Sequence, residues 1–159
     1  MKKTRIGGIM HNGGLAMLGV MAIPSRPGVA GKILSAMGDH HINVQFIVQT
    51  VDTNGNDHVV FCVCTEVVTP ALELLQGVQQ EVLAKDIVHE MGVGTISIFG
   101  PDFRQRPGIA GQMFAALGRV DINIKAISTS TSTITCVIPS DRLAAAVKSL
   151  EETFEVPCR

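Results

Sequence analysis

Two short stretches carry the residue types from which a small-molecule site can be built: SRPGVAG at 25–31 and QRPGIAG at 105–111. In each, Pro-Gly stands where an apolar, strand-like run gives way to a helical pattern. A helix beginning there leaves its first backbone N–H groups without intrahelical acceptors, and the aligned peptide dipoles place partial positive charge at the same spot. Such a junction attracts an anion, and a carboxylate suits it. Gly28 and Gly108 permit close approach to the backbone. Asn43 and Asn123, each at the head of the strand after the helix, are expected to bring amide groups to the same end of the sheet. The ammonium of an amino acid would need acceptors, for which Gln45, Gln49 and main-chain carbonyls are on hand. Against this, Arg-Pro-Gly and Ile-Asn are also ordinary turn and capping residues, and on physics alone the two readings stand level.

Other chemistries find little support. Cys62, Cys64, Cys136 and Cys158 lack the two-residue spacer of a CxxC knuckle, and Cys62-Val63-Cys64 alternates as on a strand, so the cysteines read as small apolar residues. Cys158, near the terminus, reads as an incidental exposed thiol. His11, His40, His41, His58 and His89 show no HExxH or other ligand spacing, and no metal or cofactor is expected. Acidic residues fall mainly on helix surfaces and turns, and no Ser/His/Asp or Cys/His set emerges, so the isolated chain is not expected to be an enzyme.

Composition narrows the partners. The 159 residues are 46% hydrophobic and 17% charged with a net charge of −1, a globular balance without the basic excess that attracts nucleic acid. Trp and Tyr are absent, which removes most of the stacking surface used by single-strand binders. Lys2, Lys3 and Arg5 suit the start of a signal peptide, but Gly7, Gly8, His11 and Asn12-Gly13-Gly14 break the apolar run that should follow. No stretch approaches the roughly 18–20 apolar residues of a membrane span. A cytosolic location is expected, with neither nucleic acid nor membrane as partner.

The elements that must position the two junctions follow from periodicity. Ile6–Met10 and Leu15–Ile23 read as two strands separated by an Asn-Gly-Gly turn. Pro27 suits the first turn of a helix, whose stripe is Val29, Ala30, Ile33, Leu34 and Met37. Asn43–Val51 alternates as a strand, Asp52–Asn56 forms a hairpin turn, and Val59–Val63 returns. Thr69 and Pro70 suggest a capped helix to about Leu83, and Asp86–Met91 a short strand. A second set follows: strand Thr95–Phe99, helix Pro107 to about Gly118, strands Ile122–Ser128 and Thr133–Ile138, and helix Asp141 to about Phe154.

Laying Arg26–Thr50 over Arg106–Ser130, a shift of 80, gives identity at 10 of 25 positions, a duplication. The fold class is therefore α+β: two ferredoxin-like βαββαβ units with antiparallel sheets. The boundaries are 15–92 for the first unit and 93–159 for the second. Because the second lacks a closing strand, residues 5–10 are the candidate to complete it, which makes the first unit an insertion within the second.

The runs GVMAIPSRPGVAGKILSAMGDHHINVQFIVQTV and ISIFGPDFRQRPGIAGQMFAALGRVDINIKAISTS, with IGGIM before them, resemble ACT domains. Over nearly the whole chain their order is similar to the tandem ACT regulatory region of aspartate kinases. The resemblance implies paired units associating side by side, often as a homodimer, with lysine or threonine, or another amino acid, bound at the seam as a feedback effector. By position it implies ligand contacts from Ser25, Gly28, Ala30, Asn43 and Gln49, with Asn123 and Ile124 from the opposing unit. It also implies an aspartate kinase catalytic domain or subunit as partner. The family usually has Asp at the positions of Ser25 and Gln45, and commonly Glu at that of Thr131, so acceptors for an ammonium are fewer here. Neither the Lys-Phe/Tyr-Gly-Gly strand of the catalytic domain nor a Walker loop is present. The expectation is a non-catalytic regulatory module, the alternative a ligand-free dimerisation scaffold.

Overall fold

Each copy of the repeat folds as its alternation of period-2 and period-3.6 segments requires, with strands burying one face and helices one stripe. The computed structural model describes residues 2–101 and 103–158 and divides into two units, Leu15–Met91 and Met1–Gly14 with Gly92–Arg159.

In the unit Leu15–Met91, residues 15–24 of strand β2 (Gly8–Pro24) lead into helix α1 (Val29–Asp39). Strand β3 (Phe46–Val51), strand β4 (Asn56–Cys64), helix α2 (Val68–Val82) and residues 86–91 of strand β5 (Asp86–Phe99) follow. The sheet order is β3-β4-β2-β5, with β4 antiparallel to both β3 and β2. Helix stripes Val29, Ile33, Met37 and Ala71, Leu75, Val78 close over Leu18, Val20, Val59, Phe61 and Val63. Each such valine, leucine, isoleucine, methionine or phenylalanine side chain, taken fully out of water, contributes roughly 1.5–3 kcal/mol.

The other unit repeats the plan. Residues 8–14 of β2 and 92–99 of β5 join helix α3 (Ile109–Arg119), strand β6 (Ala126–Thr129), strand β7 (Thr133–Pro139) and helix α4 (Leu143–Thr153), in the order β2-β5-β7-β6. Two-residue strands β1 (Thr4–Arg5) and β8 (Phe154–Glu155) pair in parallel, and Ile6 is buried with Ile96, Ile98, Met113, Leu117 and Phe154. Both units are ferredoxin-like, α+β with antiparallel ladders. Among the described residues no helix is long and apolar enough to cross a membrane, and no group of three potential ligands could hold a metal.

The structure differs from the sequence reading at several element ends. Asn12-Gly13-Gly14 is not a turn: β2 runs unbroken from Gly8 to Pro24, and Gly14 spends its positive φ of 67° within the strand. Asp86–Met91 and Thr95–Phe99 are likewise one strand. Both Pro-Gly helices start two residues after the proline, because Gly28 and Gly108 are left-handed N-caps at φ 91° and 90°. Thr69 does not cap α2. A 3-10 turn, Thr65–Val67, feeds the helix, and Pro70 falls at its third position, where the N–H still lacks an intrahelical acceptor. A similar turn, Ser140–Arg142, precedes α4, and the strands after α1 and α3 begin at Phe46 and Ala126 rather than at Asn43 and Ile122.

Candidate ligand site

The first junction opens a concavity of about 500 Å³ lined by 25–31 together with Gln49, Val51 and Asp57. Its floor is the N-terminus of α1. Gly28 accepts the first helical bond, Lys32 N–H to Gly28 O at 3.0 Å, and no side chain caps the turn. The groups with no intrahelical acceptor are therefore the N–H of Val29, Ala30 and Gly31, which lie along the concavity. Ser25 is pinned by its own N–H to Gly55 O at 3.1 Å, and Arg26 reaches Glu81 O with Nη2 at 2.8 Å, so the loop is tied on both sides. A more voluminous concavity of about 960 Å³ lies among residues of the other unit, including Lys3, Phe99, Glu151 and Phe154. It lacks the convergence of helix N–H groups and a buried acid that marks the first junction.

Register fixes which residues share this end of the sheet. Ile23 and Val51 both pair with Asp57, and Pro24 with Asn56, so the end of β2, the end of β3 and the start of β4 meet beside α1. Ser25, Gly28, Ala30 and Gln49 all line the concavity. Asn43 does not. It precedes β3, whose first residue, Phe46, pairs with Cys62 near the far end of β4, so Asn43 stands at the opposite end of the sheet. The expectation that it heads the strand at the junction end fails because β3 runs back toward the junction after α1 has descended from it. Asn123 stands likewise ahead of β6, remote in register from the end where Thr129 pairs with Ile134. Asn123 and Ile124 belong to the other unit and are exposed and half-buried. Gln45 is exposed, with its Nε2 3.0 Å from Cys64 Sγ, and Thr131 is exposed.

The residue that sequence reasoning missed is Asp57. It occupies the inward phase of β4 with Val59, Phe61 and Val63, is 2% exposed, and its Oδ1 is enclosed without a hydrogen-bond partner among the described residues. The signal was its phase in the strand: Asp57 sits between the Asp52–Asn56 turn and the β-branched run and belongs, by alternation, to the core face. A tight hydrogen-bonded loop holds it there. Asp52 Oδ1 accepts the N–H of Asn54 at 2.8 Å and of Asn56 at 3.0 Å, and its Oδ2 lies 2.9 Å from His58 Nε2. His58 Nδ1 accepts the Ala22 N–H at 3.2 Å, which leaves Nε2 as the protonated nitrogen that donates to Asp52. These contacts, the Asn56 N–H first and His58 next, hold the half-buried Asp52 carboxyl at about 2, below its ordinary 3.8.

Among the described residues the second junction has no such acid. Phe46 pairs with Cys62 and Ala126 with Val137, so the shift of 80 on β3 becomes a shift of 75 on β4, and the counterpart of Asp57 is Ser132, which is exposed. The backbone is otherwise repeated: Gly108 caps α3 and accepts the Gln112 N–H at 3.0 Å.

Known proteins place both halves. ACT-domain models match residues 17–76 and 96–154. Aspartate kinase Ask_LysC of Stutzerimonas stutzeri is 35% identical over 156 residues, 98% of this chain and 38% of that protein, so the chain spans well under half of that relative's length. Among solved structures, the aspartokinase alpha and beta subunits superpose with a TM-score of 0.84 at 30% identity, over 93% of this chain and 97% of that one. The ligand-free regulatory subunit of aspartate kinase from Thermus thermophilus gives 0.85 at 28% identity, over 96% of this chain and 100% of that one. Two ACT domains, in the order and extent of an aspartokinase regulatory region, identify the chain as a member of the ACT-domain family of aspartate kinase regulatory sequences.

Proposed function

We propose that the chain is a regulatory module that binds a free amino acid at the first junction and passes that binding to an aspartate kinase catalytic domain or subunit. The observation that carries this reading is the concavity of about 500 Å³ at the N-terminus of α1, which no side chain caps and where backbone N–H groups and the positive end of the helix dipole favour the α-carboxylate. Ser25, Gly28, Ala30 and Gln49 form the near wall. Asn123 and Ile124 reach the ligand from an opposing unit across a homodimer seam, and lysine and threonine head the candidate effectors. Side-by-side association is supported by the apolar side chains that point away from the helices: Ile47 and Val88 in one unit, Ile127 in the other, all exposed. In domain terms the first unit, 15–92, is read as inserted in the second, 93–159, which residues 5–10 complete. The burial of Ile6 in the second core supports that reading.

An effector acts here by differential affinity. Binding favours one arrangement of the units and so biases whatever catalytic partner senses it. A second reading, a scaffold that only holds subunits together, draws on the same exposed apolar faces. Thermal shift across the twenty amino acids separates the two. A ligand at about 100 times its Kd stabilises by roughly 2.7 kcal/mol, a readily measured shift. The sensor predicts a shift with one or a few amino acids, lost in Gln49→Ala while light scattering still finds a dimer. A flat panel with an intact dimer refutes the sensor and leaves the scaffold.

A further inference from the structure

The weak point of an amino-acid site at the first junction is the ammonium, because Ser25 and Gln49, polar side chains of its near wall, are both uncharged. We infer that Asp57 is that acceptor: its buried carboxylate makes the first junction a site for a ligand carrying an ammonium beside its carboxylate. The inference deepens the proposed function and rests on it.

Three observations converge. Asp57 lines the same concavity as the α1 N-terminus, so acceptor and helix donors face one volume, as a zwitterion requires. Its side chain is almost wholly buried, and Oδ1 meets no donor among the described residues. A buried carboxylate oxygen left without a partner is costly, and an ordinary strand would place another β-branched residue in that inward position. Among the described residues the carboxylate is also particular to this junction, since the second repeat has exposed Ser132 at the corresponding position. The Asp52–His58–Ala22 bonds hold the start of β4 rigidly, so the acid is preorganised rather than mobile.

This geometry predicts chemical selectivity. An ammonium brings a charge-assisted hydrogen bond to an oxygen that otherwise has none, whereas the hydroxyl of a 2-hydroxy acid brings a neutral one at best. The first junction should therefore discriminate amino acids from their hydroxy counterparts, and the second junction should not.

The test is calorimetric titration of the whole chain with whichever of the twenty amino acids gives the largest thermal shift, and with its 2-hydroxy acid. If that amino acid is lysine, norleucine is added to separate the ε-ammonium from the α-ammonium. In the wild type the analogue lacking the ammonium that Asp57 receives binds about 10- to 100-fold more weakly. In Asp57→Asn the amino acid weakens by a similar factor and the preference for it over the analogue disappears. Equal binding of amino acid and analogues by the wild type, or retention of full affinity and preference in Asp57→Asn, overturns the role of Asp57 while leaving the amino-acid site standing. A wild type that binds none of the twenty overturns both. The analogue arm needs no variant and so decides the matter even if Asp57→Asn folds poorly.

Discussion

Replacing Asp57 by valine should make the chain more stable. The inward row of β4 is Asp57, Val59, Phe61 and Val63, and in register Asp57 lies between Ile23 on β2 and Val51 on β3. Valine continues the row with a β-branched side chain suited to a pleated, half-covered surface. Leaving a buried acceptor without a partner costs about 1–3 kcal/mol, and removing the carboxylate removes that cost. The apolar area added is small, so most of the gain is the relieved desolvation. Asp57→Val should thus raise the unfolding free energy by about 1–3 kcal/mol, and for a unit of this size each kcal/mol is worth roughly 4–8 °C in Tm. Urea denaturation at pH 7, with the slope m checked to be unchanged, measures it directly. Stabilisation together with loss of amino-acid binding is the signature of a residue kept for function at the expense of stability. A loss of more than about 1 kcal/mol, beyond what a well-fitted valine could cost, would refute the reasoning, because Asp57 would then be making a contact that supports the fold.

Other consequences are simpler to measure. Gly28 and Gly108 have φ of 91° and 90°, and a Cβ on either would meet no atom within 4 Å, so Gly28→Ala and Gly108→Ala should each cost about 1–2 kcal/mol of backbone strain alone. Near-equal values by urea titration are expected, and a cost near zero at either site would show that the left-handed cap is dispensable. Burial pushes the thiols of Cys62 and Cys136 up to about 12, so brief iodoacetamide treatment of the native chain at pH 7.5 should modify exposed Cys158 first and spare those two, as read by peptide mass spectrometry. Modification of Cys62 in the folded state would contradict the core packing. Because Asp52 is lowered from 3.8 to about 2 on folding, its stabilising effect is complete above pH 4 and fades as pH falls toward 2. The Tm deficit of Asp52→Asn should accordingly be present at pH 7 and shrink below pH 3, and a deficit independent of pH would sink the assignment.

Much of the fold was legible because it is written twice. The 80-residue shift, the helix stripes and the two Pro-Gly junctions are periodic or repeated signals, and the helices, ladders and units follow them. What escaped were features where a local rule yields to register. Asn12-Gly13-Gly14 has turn residues but no reversal, because both flanking segments belong to one long strand. Thr69 has capping chemistry but stands inside a helix that an upstream 3-10 turn has already started. Asn43 was assigned to the junction from its nearness to a strand, whereas strand direction places it at the other end. In the site, Ser25, Gly28, Ala30 and Gln49 were found because they flank a recognisable turn and its return strand. Asp57 was passed over because an acid beside a turn looks solvated, and only the two-residue phase counted back from Val59, Phe61 and Val63 marks it as buried.

The central claim, that the first junction is an amino-acid site, is tested most directly by following backbone amide resonances of the ¹⁵N-labelled chain during titration with each amino acid. The account predicts saturable shifts at Val29, Ala30 and Gly31, with smaller changes at the equivalent amides of the second junction. Saturable binding that leaves those three amides unmoved, or no shift with any amino acid, would contradict it.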